Sequence, residues 1–395
     1  MMKKILFVMS QLYNGGAERS LVNLFNELPR DRYDIDLLLF RPQGMFIDQV
    51  PDYVNILPTP HKLLQRYSQK GESGYSEWTR LIPNIVSMLA AKGNTDKRRG
   101  FRWRHFYSHA IDALPEHYDV AVAYLSGEQL AYVDEKVDAD RKYVWVHNDY
   151  IAAGYAAEYD RPHFANMNAI ISISQHCVDV LKQVFPEYAD KIRLLENITS
   201  SKLIRNRSKE FIPDEIDTGK SVLLTVGRFD EQKGVDLAIR AASLLQRQDF
   251  DFTWYLIGGG SKQEGALKNL IAELNVQDCF RLLGTRANPY PYIANCDVFV
   301  QPSRFEGKSM VLDEAKILAK PIVVTDYPTV HDQIHDNREG MVVAIDPESI
   351  AEGIGTLLRH PETRNVMASY LSNNDYGNAD IISEYCRLFD GKSAQ

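Results

Sequence analysis

The sequence predicts an α/β protein made of two domains, each a doubly wound parallel sheet. Three observations predict it. The chain has 395 residues, more than one typical hydrophobic core accommodates. Short, nearly unbroken apolar runs alternate with runs of helical period in both halves, the signature of strands buried on both faces and joined by crossover helices. A polar, weakly periodic stretch, Glu196 to Lys220, separates the halves.

The elements follow in order. Near the start, "KKILFVMS" reads as a buried strand, "QLYNGG" as a loop, and "AERSLVNLFNELP" as a helix with Leu21, Leu24, Phe25 and Leu28 at helical spacing, ending before a proline. "YDIDLLLF", "YDVAVAYLS", "KYVWVHND" and "AIISIS" are further strands. In the second half "SVLLTVGR" precedes the helix "VDLAIRAASLLQRQ", and "FTWYLIGGG" precedes "KQEGALKNLIAELNV". "CFRLLG", "DVFVQPS", the helix "KSMVLDEAKILAK" and the strand "PIVVTD" complete the alternation. The expected boundaries are 1–200, a linker at 201–220, and 221–375.

Composition narrows the function. A net charge of −8 argues against bulk nucleic-acid binding. Cys177, Cys279, Cys296 and Cys386 are scattered without a CxxC pair, which suits reduced thiols in a cytoplasmic protein and provides no metal or disulfide framework. The N-terminal apolar run is strand-length and lacks a small-residue cleavage site, so it reads as a strand and not a signal peptide. No stretch approaches the roughly 20 apolar residues that span a bilayer.

Ligands of open parallel sheets bind at the carboxyl ends of strands, and with two such domains the expected site is a cleft between them. "VGRFDEQKG" follows a strand and leads into a helix, so Arg228 and Lys233 sit beside a helix N-terminus and suit a diphosphate. A solvated charged loop is the other reading. Gly15 and Gly16 in "NGGAERS", and Gly258 to Gly260 in "LIGGG", let backbone approach a ligand, or serve tight turns. The "NGG" loop has neither the G-x-G-x-x-G spacing nor a P-loop ending. His147 ends an apolar strand, facing a ligand or merely packed.

"SRFEGKSMVLDEAKILAKPIVVTD" holds Glu306 and Glu314. Eight helical steps would separate them by about 12 Å, whereas a carboxylate pair working on a glycoside needs about 5 to 9.5 Å. Separate contacts to one long ligand fit better: Glu314 to vicinal hydroxyls of a ribose, Glu306 to a second ring, and the amides of Gly307, Lys308 and Ser309 to hydroxyls or phosphate. Two solvated glutamates on a surface helix are the bland alternative. The triplets Asp34-Ile35-Asp36 and Asp249-Phe250-Asp251 stand at strand entrances, away from the expected site, and read as structural; Asn197-Ile198-Thr199 matches a glycosylation sequon with no secretion signal.

Together these motifs resemble the retaining glycosyltransferases of family 4, the "glycosyl transferases group 1" type, with two Rossmann-like domains in the GT-B arrangement. The resemblance is strongest from about Ser221 to Val343, in "VGRFDEQKGVDLAI", "LIGGG", "RLLGTRANPYPYIANCDVFVQPSRFEG" and "LDEAKILAKPIVVTDYPTVHDQI", and includes "NGGAERSLVNL". It implies that Arg228 and Lys233 neutralise the diphosphate of a nucleotide sugar, that Glu314 binds the ribose, and that Glu306, with Gly307 to Met310, holds the donor sugar. It further implies Gly15 and Gly16 near the diphosphate, His147 beside the sugar, Gly258 lining the nucleotide site, and Leu283 and Gly284 near the base. Residues 376–395 would form a terminal helix packing toward the first domain. "EGKSMVLDEA" departs from the family's usual "EGFGLVLLEA" at Lys308 and Ser309, which bears on which sugar is held.

The function so implied is sugar transfer from a nucleotide sugar, with UDP the most frequent carrier, to a hydroxyl of a glycan or lipid-linked acceptor in cell-surface polysaccharide synthesis. The nucleotide sugar is a substrate, and neither metal nor cofactor is expected. An epimerase or phosphorylase on a similar scaffold and a catalytically silent nucleotide-sugar-binding protein are the competing readings. Lys92 to Tyr107 is strongly basic in an acidic protein. Arg98, Arg99, Arg102 and Arg104 are interleaved with aromatics including Trp103, which suggests contact with anionic lipid at the inner face of the plasma membrane, or an exposed loop with partly buried rings.

Overall fold

The structure is a computed structural model that describes residues 2–13, 15–67, 78–91, 94–217, 219–259 and 263–392. Gly260 and Lys92, both singled out above, lie outside the described residues. The chain divides into two compact units, residues 1–197 with 380–395, and residues 198–379.

The first unit carries a seven-stranded, wholly parallel sheet of order β3-β2-β1-β4-β5-β6-β7. Its strands are β1 (Lys3–Met9), β2 (Tyr33–Leu39), β3 (Val54–Ile56), β4 (His117–Ala123), β5 (Asp138–Val146), β6 (Ala169–Ser172) and β7 (Ile192–Leu194). β1 is buried along most of its length because helices cover both faces, and this is why its sequence shows no alternation. Asp36 of the first D-x-D triplet is buried and accepts from the Tyr118 hydroxyl at 2.9 Å and the Asn55 amide at 2.6 Å, which gives it a structural role. The terminal helix Ile382–Asp390 is part of this unit. Phe389 meets Phe7 edge to face at 5.8 Å between centroids, and Tyr385 stacks on Trp145 at 6.0 Å.

The second unit carries a six-stranded parallel sheet of order β10-β9-β8-β11-β12-β13. Its strands are β8 (Ser221–Val226), β9 (Phe252–Ile257), β10 (Phe280–Gly284), β11 (Val298–Gln301), β12 (Ile322–Thr325) and β13 (Gly340–Val343). Residues 201–220, read as linker, begin instead with the helix Ser201–Arg207. Ile204 of that helix is buried in the core that Leu224, Phe299 and Ala315 share, so the segment folds with the second unit.

Candidate active site

In each sheet the order reverses beside the first strand. β1 lies between β2 and β4, and β8 lies between β9 and β11. Such switch points leave a crevice beyond the carboxyl ends of the two central strands.

At the second unit's switch point the loop after β8 meets the loop after β11. Asp230 caps a short 3₁₀ turn, Glu231–Lys233, by accepting from the Lys233 amide. Gly234 follows at φ +62°, and a Cβ there would lie 1.9 Å from the Pro302 carbonyl oxygen. Only glycine therefore allows the two loops to touch. Arg304 clamps them from the side, forming a two-pronged ion pair with Asp236 at 2.8 Å for each prong and donating to the Glu231 carbonyl.

This contact sets the central ion pair. Lys233 Nζ donates to Glu306 Oε1 at 2.6 Å, and Glu306 is only 6% exposed. The same carboxylate accepts from Ser303 Oγ at 2.7 Å and Gln301 Nε2 at 3.0 Å. Glu306 is thus fixed, not a solvated surface acid, and Lys233 is held by its tip. Arg228 stands apart: it is exposed, 3.2 Å from Asp230 and within hydrogen-bond reach of Gln232. The crevice consequently presents one exposed cation and one anchored cation.

The helix Met310–Ile317 starts beside this pair. Ser309 does not offer a free amide, because its N–H donates to Gln333 Oε1 at 2.7 Å, while its hydroxyl donates to Gln301 Oε1 at 2.8 Å. The Ser309 amide expected to meet a ligand is thus paired within the protein in this structure. Gly307 and Met310 are buried alongside, and Lys308 is half-buried. Glu314, in the second turn, is fully buried and accepts from the Tyr290 hydroxyl at 3.1 Å. Gly258 ends β9, where a Cβ would fall 1.7 Å from the Gly227 carbonyl oxygen. Leu283 and Gly284 close β10, with Gly284 O accepting from the Gly258 amide at 3.0 Å. These residues form one cluster at the carboxyl edge of the sheet. Gln301 and Gln333, which orient it together with Ser303, were missed from sequence; the position of Gln301 at the end of a strand was the available signal.

In the first unit, Gly15 and Gly16 open the helix Gly16–Glu27 after β1. Gly15 has φ −87°, and a Cβ on Gly16 would meet nothing within 4 Å. Neither a left-handed turn nor packing requires Gly16, and open space lies above this helix N-terminus. His147 follows β5, is buried against Tyr124 at 4.8 Å between centroids, and neither ring nitrogen has a hydrogen-bond partner among the described residues. Burial pushes its pKa down to about 4, the nearby Tyr124 backbone opposing only part of the shift. The folded value lies below the ordinary 6.5, so on acidification the unfolded chain takes up the proton first. Stability from this site is full above pH 6.5 and is lost as pH falls toward 4, by up to about 3 kcal/mol. Urea denaturation is expected to show the protein losing stability relative to a His147→Leu variant across that window.

The basic segment is less exposed than its composition suggests. Trp103 is 2% exposed and packs into the first unit's core, and Arg102 turns toward buried Glu128 at 3.6 Å. Trp103 is therefore a core residue and not a surface aromatic. Arg104 is exposed, lies over the Tyr159 ring at 4.7 Å and donates to the Glu158 carbonyl. Arg98 is half-buried and Arg99 exposed; Arg99, Trp103 and Arg104 line a cavity of about 540 Å³ together with Glu128 and Asp160.

These features define the fold: two α/β units with parallel Rossmann-like sheets, the fold of the chain's GT-B structural neighbours. Residues 206–373 match the family described as Glycosyl transferases group 1. The chain is 30% identical over 203 residues to the N-acetylgalactosamine-N,N'-diacetylbacillosaminyl-diphospho-undecaprenol 4-alpha-N-acetylgalactosaminyltransferase of Campylobacter jejuni, a match spanning 51% of this chain and 53% of that one. It thus spans about half the length of that relative. An uncharacterized glycosyltransferase of Haemophilus influenzae is 23% identical over 97% of this chain and 99% of its own. Among solved structures, Anabaena HepE in complex with UDP and glucose superposes with a TM-score of 0.72 at 17% identity, covering 99% of this chain and 100% of that one. A variant of S. aureus TarM superposes at 0.70 and 14% identity, covering 98% and 100%.

Proposed function

We propose that the chain is a retaining glycosyltransferase that takes a sugar from a UDP-sugar and attaches it to a hydroxyl of a glycan or lipid-linked acceptor, in the synthesis of a cell-surface polysaccharide. The observation that carries this reading is the Lys233–Glu306 pair, fixed beside exposed Arg228 at the switch point of the second sheet, inside the segment that matches Glycosyl transferases group 1. The Campylobacter relative, named for transfer to an undecaprenol-linked acceptor, supports the acceptor class.

In this reading the bond from the anomeric carbon to the β-phosphate oxygen breaks, and negative charge develops on the phosphate. Arg228 and Lys233 stabilise that charge more as it grows than they do in the bound donor. The acceptor oxygen bonds to the anomeric carbon on the face the nucleotide leaves, its proton passes to the departing phosphate, and UDP is released. The two protein cations supply the positive charge, so no metal or cofactor is invoked. Glu306 orients Lys233 and the donor sugar; Glu314, with Tyr290, receives the ribose; Leu283, Gly284 and Gly258 flank the base.

Titration of UDP, GDP and ADP while following melting temperature tests the donor site. A ligand bound only by the folded state stabilises it by about 2.7 kcal/mol at 100 times its dissociation constant. A shift selective for UDP is expected; no shift with any nucleotide at saturating concentration sinks the proposal. Gly16 gives a second test. Open space around it predicts that Gly16→Ala leaves melting temperature unchanged or slightly raised, while a bulkier contact with the donor lowers sugar transfer. A melting temperature that falls with activity would assign Gly16 to structure alone.

A further inference from the structure

The helix Trp78–Ala90 of the first unit is turned inside out. At 100° per residue, its large apolar side chains occupy a single arc of about 160°. Leu81, Ile82, Ile85, Val86 and Leu89 on that arc are exposed, Leu89 to 67%; exposed Trp78 lies within it and exposed Met88 at its edge. The face toward the protein carries the small or polar residues, with Pro83 and Ser87 as its buried members. Pro83 has no N–H for the Thr79 carbonyl, and Arg66 fills that role, donating to Thr79 O at 3.2 Å. The helix is thus pinned by its polar side and leaves its apolar side without a partner among the described residues.

The surrounding charge says what covers it. Residues 78–110 hold seven Lys and Arg against a single Asp, in a chain of net charge −8. The next helix, Thr95–Arg102, supplies four of them; Lys97 and Arg102 pair with Glu158 and Glu128 outside this stretch, while Arg99 and Arg104 are exposed. A helix lying on a membrane needs an apolar face and nearby cations; here the polar face is occupied by protein, so the neighbouring helix provides the cations. A second copy fits poorly, since a two-fold interface would bring two basic segments together. The helix has 13 residues, about 20 Å long, against a hydrocarbon core of about 30 Å, so it lies on a bilayer and does not cross it.

We propose that the exposed face of Trp78–Ala90 docks the first unit on an anionic lipid surface, with Arg99 and Arg104 meeting the headgroups. The inference deepens the lipid-linked acceptor reading above, but it is tested without donor or acceptor, so the two fail separately. The intact protein is mixed with phosphatidylcholine vesicles with and without a quarter of phosphatidylglycerol. Of the four tryptophans only Trp78 is exposed, the other three being buried, so its fluorescence reports docking directly. Expected results are co-sedimentation with the anionic vesicles, weaker on neutral ones, and a blue shift that Trp78→Phe removes. The triple variant Ile82→Gln/Ile85→Gln/Leu89→Gln is expected to lose at least about tenfold in vesicle affinity with an unchanged melting temperature, since it alters exposed positions only. No vesicle binding, equal binding by the triple variant, or a blue shift that survives Trp78→Phe would overturn the proposal. So would light scattering that shows a dimer which the triple variant converts to monomer, since a second copy would then cover the face.

Discussion

Replacing Lys233 with methionine is expected to cost the protein both its activity and about 3 kcal/mol of stability. Glu306 is buried, and its carboxylate rests on Lys233 Nζ at 2.6 Å, Ser303 and Gln301. Without the ammonium, a charge stays in the interior with neutral donors only, and removing one partner of a buried pair is costly for that reason. The double variant Lys233→Met/Glu306→Gln separates the two losses. It removes the stranded charge and is expected to recover most of the stability, measured by urea denaturation. Activity, followed as nucleotide release, is expected to stay about a hundredfold or more below the unmodified protein, because the cation that meets the leaving phosphate is still missing. If the double variant transfers sugar normally, the pair is only a structural bond and the proposed mechanism fails.

Gly234→Ala is expected to have the second large effect. The residue sits at φ +62°, and the new methyl would come 1.9 Å from the Pro302 carbonyl oxygen. Left-handed strain and an unavoidable backbone clash together cost on the order of 2 to 4 kcal/mol. The consequence is local as well as global. Relief requires the loop after β8 to move away from the loop after β11, and that contact brings Lys233 to Glu306. Melting temperature and nucleotide affinity should therefore fall together. A variant that keeps nucleotide affinity while losing stability would show that the loops need not touch for binding.

The strand-and-helix alternation was plain in the sequence because strands buried on both faces must be apolar throughout, as in β1, β8 and β12. The edge strands β3, β7 and β13 were not recognised; they are short and only the first residue of each is buried, unlike the similarly short β6, β11 and β12, which are buried throughout. The helix Ser201–Arg207 looked like linker because Ile204 is its only buried side chain, and one apolar residue makes no periodicity.

By itself the sequence determined which residues could carry chemistry. It placed Arg228, Lys233, Glu306 and Glu314 at strand ends and helix starts, where such charges suit a ligand but equally a solvated loop, so that only their combination pointed to a site. It could not show that Lys233 and Glu306, 73 positions apart, bond to each other. That pairing needs β8 and β11 to lie side by side and Gly234 to let their loops meet. Nor could it show that the apolar face of Trp78–Ala90 points outward while Trp103 points inward. A periodic pattern reveals that a helix has two faces; only the packing around Arg66, Pro83 and Ser87 decides which face the protein covers.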